Sequence, residues 1–176
     1  MNYATIKSVD IANGPGVRVS LFVSGCTHYC KGCFNAEAWD FGYGKPFTQE
    51  VIDQILGYLN YDYIAGLTLL GGEPMDLRNQ EAVPDLVRQV RERLPQKTIW
   101  CYTGYDFEVD ILGSMMKESA VTRELVPLFD VMVDGKFVLE KKNLSLKFRG
   151  SENQRILDVK RSLEEGCAVL IPEYLG

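Results

Sequence analysis

The run VRVSLFVSGCTHYCKGC, residues 17–33, begins as a strand and ends as a thiol-rich loop. Val17, Val19, Leu21 and Val23 alternate, so they share one face of a half-buried strand. That strand feeds directly into Cys26, Cys30 and Cys33, whose C-x3-C-x2-C spacing offers three thiolates from one short loop. Four Cys thiolates close an iron–sulfur cubane. Three leave one iron open, and a substrate or cofactor can dock there.

Other uses of the loop need weighing. With His28 the three thiols make a Cys3His set, which suits tetrahedral zinc. One short loop would then have to fold all four ligands around a single ion, whereas zinc sites more often pair two separated knuckles. A lone polar His on such a loop reads as solvated. A closed four-Cys cluster would need Cys101 or Cys167 as the distant ligand, and the spacing does not match ferredoxins. Disulfides fit least: five cysteines is an odd number, the opening MNYATIKSVD has no signal-peptide pattern, and the composition suits a cytosolic domain. Cys101 lies in an apolar run and Cys167 in GCAVLI, so both read as small buried hydrophobes.

Working outward, strands and helices alternate. Thr48 can cap a helix with the stripe Val51, Ile52, Ile55, Leu56 and Leu59. Leu67–Leu70 is a buried strand ending at Gly71-Gly72-Glu73-Pro74. Pro84 fits the first turn of a helix with Leu86, Val87, Val90 and Leu94 on one face. Thr98–Tyr102 is a third strand, stopped by Thr103-Gly104. A helix carrying Val109, Leu112 and Met115 or Met116 follows, and Phe129–Val133 is a fourth strand ending at Asp134-Gly135. Such alternation predicts a mostly parallel sheet with right-handed crossovers. Its polar and glycine-rich signals fall at strand ends, where parallel α/β proteins bind ligands.

The 176 residues make one domain, 1–176, without a run long enough to span a membrane. An eight-unit barrel typically needs about 250 residues, so the expected α/β fold is an open, partial βα barrel whose open side could admit a loop of another macromolecule. A net charge of -5 argues against nucleic acid, and Lys141, Lys142, Lys147 and Arg149 are too diffuse to reverse that.

Two glycines at a strand end let backbone approach a ligand closely, and free carbonyls there can accept from an ammonium group. The same residues also read as a plain turn. Paired with the cysteine loop, however, Gly71-Gly72-Glu73-Pro74 resembles the signature of the radical S-adenosylmethionine superfamily. There the open iron chelates the amino nitrogen and carboxylate oxygen of the methionine moiety and passes one electron to its sulfonium. Many members carry an aromatic residue just before the third cysteine; here that position is Gly32. The pattern Gly32-Cys33-Phe34-Asn35 is similar instead to the activating proteins of anaerobic ribonucleoside-triphosphate reductases, which usually read G-C-Y-N. Val9-Asp10-Ile11, Asn13-Gly14-Pro15-Gly16, LFVSGC, WCYTGY over 100–105, Val133–Phe137, and Arg149-Gly150-Ser151 with Asn153-Gln154-Arg155 agree with that family. The resemblance spans residues 3 to 157 and leaves the last twenty or so unmatched.

The resemblance implies a [4Fe-4S] cluster on Cys26, Cys30 and Cys33, and S-adenosylmethionine lined by Gly32, Cys33, Phe34, Gly71, Gly72 and Glu73. It implies reductive cleavage to a 5′-deoxyadenosyl radical, which takes the α-hydrogen from a glycine in the C-terminal region of the reductase. The implied partners are that glycine loop and a low-potential donor such as flavodoxin, in the cytoplasm. Thr103 and Asp134 would meet the ribose or methionine groups, although Asp134 equally fits a turn before Gly135. Asn13–Gly16 and Arg149–Ser151 would face the partner, or be plain turns. No residue is required as a general base. The rival functions are an activase of another glycyl radical enzyme or other small radical enzyme, for which Cys101 and Cys167 supply no second cluster, and a zinc-binding interaction module.

Overall fold

The computed structural model describes residues 1–175. Among them, seven strands form one open sheet: β1 (Asn2–Asp10), β2 (Val17–Val23), β3 (Lys45–Pro46), β4 (Ile64–Gly71), β5 (Thr98–Tyr102), β6 (Val131–Asp134) and β7 (Arg155–Asp158). Their order is β3-β1-β2-β4-β5-β6-β7. The centre, β2-β4-β5-β6, is parallel throughout, while β1 runs antiparallel to β2 and β7 to β6. The mostly parallel α/β sheet of the expectation is therefore present and does not close. The fourth predicted strand, Phe129–Val133, lies at Val131–Asp134.

Helices α1 (Gln49–Leu59) and α2 (Val83–Arg93) cross between the parallel strands. Between β5 and β6 the chain instead makes a π-helix, Phe107–Met115, that runs into α3 (Met116–Glu118) and α4 (Ala120–Leu125). The Ile111 N–H reaches the Asp106 carbonyl at 3.0 Å, five residues back. That wider spiral buries Phe107 and Ile111 and turns Val109 out to 71 % exposure, against the predicted stripe. Helix α5 (Val159–Glu165) closes on Gly166. Thr48 is the N-cap of α1, but its side chain makes no capping bond.

Strand alternation sorts the sheet into two faces. Val19, Leu21, Val23, Leu67, Leu69, Ile99, Cys101 and Met132 join Ile55, Leu59, Leu86 and Val90 in one helix-covered core. The other face carries Arg18, Ser20, Thr68 and Trp100, all buried. Among the described residues Arg18 meets no carboxylate; it donates to Thr68 Oγ1 (2.8 Å), Thr98 Oγ1 (3.0 Å) and the carbonyls of Leu67 (2.9 Å) and Thr98 (3.0 Å), and lies over the Trp100 ring. Burial lowers its pKa to about 10. Residues beyond the family resemblance close this end, where Tyr174 packs edge-on against Trp100 and Phe148. The Asn13–Gly16 turn is tied inward, its Asn13 carbonyl accepting from Thr68 Oγ1 at 2.8 Å and its Asn13 amide donating to Asp10 at 2.7 Å.

Candidate iron–sulfur site

Beyond Val23 the chain loops out at the C-terminal end of β2. It is held there by bonds from the Gly25 and Cys26 N–H groups to the carbonyls of Ala38 (2.7 Å) and Trp39 (3.1 Å). Tyr29 takes a positive φ of 50°, a conformation costly to a side-chain-bearing residue, and its ring packs edge-on against Trp39. Cys26 is buried; Cys30 and Cys33 are half-buried. Two of the sulfurs accept a backbone N–H: Cys26 from His28 (3.5 Å) and Cys33 from Asn35 (3.4 Å). Burial raises the Cys26 thiol to about 11 and pushes Cys30 up, against the Phe137 N–H and the nearby Lys136 charge.

These features suit metal-held thiolates, because N–H donors to sulfur stabilise and tune iron–sulfur ligands. A tetrahedral zinc set is not preassembled here: Zn–S bonds of about 2.3 Å place sulfurs about 3.8 Å apart, and the three thiols do not all lie within 4.8 Å of one another. His28, expected to be solvated, is instead turned inward: its Nε2 lies 2.7 Å from Glu73 Oε2, and its ring packs edge-on against Tyr105. Cys101 is buried as expected, but Cys167 is exposed, because the GCAVLI run leaves α5 along the surface rather than entering the core.

The Gly71-Gly72-Glu73-Pro74 turn is stitched to the cysteine loop. Gly72 N–H donates to the Val23 carbonyl (2.7 Å) and Glu73 N–H to that of Gly25 (2.8 Å). A Cβ at Gly72 would stand 2.6 Å from the Gly25 oxygen, so the need for glycine here is backbone against backbone. Glu73 is 1 % exposed, and its carboxylate accepts four bonds: Met75 N–H (2.9 Å) and Thr103 Oγ1 (2.8 Å) at one oxygen, His28 and Gly104 N–H (both 2.7 Å) at the other. It thereby joins the ends of β2, β4 and β5. Asn79 reinforces the joint by donating to the carbonyls of Ser24, Gly25 and Glu73. Sequence reasoning missed Asn79, which carries no motif.

Above these strand ends lies a cleft of about 600 Å³, within the size range of small-molecule sites. Cys26, Cys30, Cys33, Phe34, Gly71, Gly72, Glu73 and Thr103 all line it. Gly32 does not; it sits at the surface in a left-handed turn against Leu139. Asp134 is also outside, its carboxylate held by Arg155 (Nη2, 2.5 Å) and the Phe107 N–H (2.9 Å). Arg155 likewise neutralises Glu108 (2.7 Å) and Asp106 (3.6 Å). The far wall is the segment 143–150, anchored where Tyr102 Oη donates to the Phe148 carbonyl at 2.7 Å.

An α/β sheet with a three-thiol loop at a central strand end defines an iron–sulfur protein, and the family model for a 4Fe-4S single cluster domain matches residues 12–157. The chain is 43 % identical over 158 residues to the anaerobic ribonucleoside-triphosphate reductase-activating protein of Enterobacteria phage T4, covering 89 % of this chain and 93 % of that one. The proteins of the same name from Vibrio cholerae (42 % identical, 89 % and 97 % covered) and Escherichia coli K12 (43 %, 88 % and 96 %) are similarly near. The chain belongs to this family of reductase-activating proteins.

Proposed function

We propose that the protein is a radical S-adenosylmethionine activase, built as a partial βα barrel, that installs a glycyl radical on an anaerobic ribonucleoside-triphosphate reductase. The observation carrying this reading is that the three-thiol loop and the Gly71–Pro74 turn are tied together by backbone hydrogen bonds and line one cleft. Cys26, Cys30 and Cys33 would hold a [4Fe-4S] cluster, whose open iron and electron supply cleavage of S-adenosylmethionine to methionine and a 5′-deoxyadenosyl radical.

The chain's own residues position and shield. Glu73 spends both oxygens on donors from three strand ends, so its part is to fix the walls rather than to move a proton. Among the described residues no side-chain or loop N–H donates to the Gly72 carbonyl, which leaves it free to accept from the cofactor's ammonium group. Phe34, against Phe137 at 5.2 Å, supplies an apolar wall for adenine. The substrate is the C-terminal glycine loop of the reductase, entering from the open side of the sheet, and a flavodoxin-type donor in the cytoplasm reduces the cluster. Among the described residues no helix is long and apolar enough to cross a membrane.

Anaerobic reconstitution tests the reading. About four iron per chain, together with 5′-deoxyadenosine formed on reduction in the presence of S-adenosylmethionine, is the expected result; a colourless zinc protein overturns it.

A further inference from the structure

Between Lys136 and Arg149 stand five cations, Lys136, Lys141, Lys142, Lys147 and Arg149, and one acid, Glu140, in a chain of net charge -5. Among the described residues none of the five has a carboxylate within 4.0 Å, and no other stretch of this length in the chain gathers as many cations against so few acids. The basic segment lies on the cysteine loop: Lys142 Nζ is 5.3 Å from the centre of the Phe34 ring, Phe137 packs on that ring, and Leu139 abuts Gly32. This half of the loop is also the half at the surface, with Lys31, Gly32 and Phe34 exposed while Cys26 is buried. Two apolar side chains at the rim of the cleft stand partly open beside the cations, Phe34 at 61 % and Leu144 at 85 % exposure.

We infer that this face is the docking surface for a small, acidic one-electron carrier protein that reduces the cluster; the inference rests on the radical function proposed above. Electron tunnelling falls steeply with distance, so the carrier must sit where the thiol loop reaches the surface, over Lys31–Phe34. An apolar centre with a charged rim is the anatomy of a protein interface. Unpaired lysines around it attract an acidic partner and raise its association rate. One electron leaves the carrier and enters the cluster, and no atom is transferred.

The test compares Lys141→Glu/Lys147→Glu, both exposed and neither lining the cleft, with the charge-matched control Lys117→Glu/Lys160→Glu on other surfaces. Flavodoxin hydroquinone is the probe, and bleaching of the cluster's visible absorbance is followed by stopped flow at low and high salt. The Lys141/Lys147 variant should be reduced at least about ten-fold more slowly at low salt, with a flattened salt dependence. The control should behave as wild type, and dithionite should reduce all three proteins equally. Unchanged flavodoxin kinetics overturn the inference. So does a variant that flavodoxin reduces normally but that activates the reductase poorly with dithionite, since the face would then dock the reductase. A wild-type protein that flavodoxin bleaches but that cleaves no S-adenosylmethionine overturns the radical function instead, because cluster reduction is scored independently.

Discussion

Glu73→Gln should destabilise the protein by about 2–4 kcal/mol, although it changes no shape and touches no cluster ligand. The native carboxylate is buried and accepts from two backbone N–H groups, Met75 at one oxygen and Gly104 at the other. An amide must turn its NH2 toward one of them. Thr103 can rotate its hydroxyl and His28 can change tautomer, but a backbone N–H cannot reverse. One buried donor is left unsatisfied, at about 1–3 kcal/mol, and the remaining bonds lose their charge assistance, at about 1 kcal/mol. In a chain of 176 residues each kcal/mol moves Tm by roughly 2–4 °C, so melting should fall by roughly 4–16 °C. Anaerobic thermal denaturation followed by circular dichroism measures this, with exposed Glu81→Gln as the neutral control. A Glu73→Gln protein that melts with the wild type would refute the four-donor reasoning.

Cys26→Ala, Cys30→Ala and Cys33→Ala should each lose iron and cofactor cleavage, while Cys101→Ala and Cys167→Ala keep both; iron-to-protein ratios decide it. Gly72→Val should lower stability and iron loading together, because its side chain would collide with the Gly25 backbone; a normally loaded variant with weakened cofactor binding alone would place that side chain in the cleft instead. Arg155→Met strips Asp134, 1 % exposed, of its cation, at a cost of about 3–5 kcal/mol in urea unfolding. The Arg155 guanidinium also holds the Glu108 carboxyl below the usual carboxylate range. A depressed carboxyl contributes stability above its unfolded pKa of about 4.3 and loses it as pH falls through the folded value. The wild type should therefore weaken on acidification below about pH 4, and Arg155→Met should weaken less steeply there.

The central strands were legible because burial on the helix side imposes period two: Val19, Leu21 and Val23 alternate, and the strand sits where they place it. The thiol spacing was legible for a similar reason, since three ligands within one loop need no tertiary information. Strand β1, NYATIKSVD, was not expected, because only Asp10 of it is buried and no apolar rhythm marks it. Nor was β7, four residues long and recognised only by its pairing with β6. The helical stripe through Val109 failed because a π-helix changes the period. Glu73 read as a cofactor-facing residue, but its donors lie on loops that are 45 and 31 residues away in sequence, at His28 and Gly104, so its part as a joint was invisible before folding. Asp134 likewise answers to Arg155, a partner that no local pattern indicates.

The most direct measurement is electron paramagnetic resonance of the anaerobic ribonucleoside-triphosphate reductase after incubation with the reduced protein and S-adenosylmethionine. A glycyl radical keeps one α-hydrogen, so the signal should be a doublet, and it should collapse to a near-singlet when that glycine is deuterated at Cα. A reductase that stays free of radical while S-adenosylmethionine is cleaved and a small molecule is consumed would contradict the activase function.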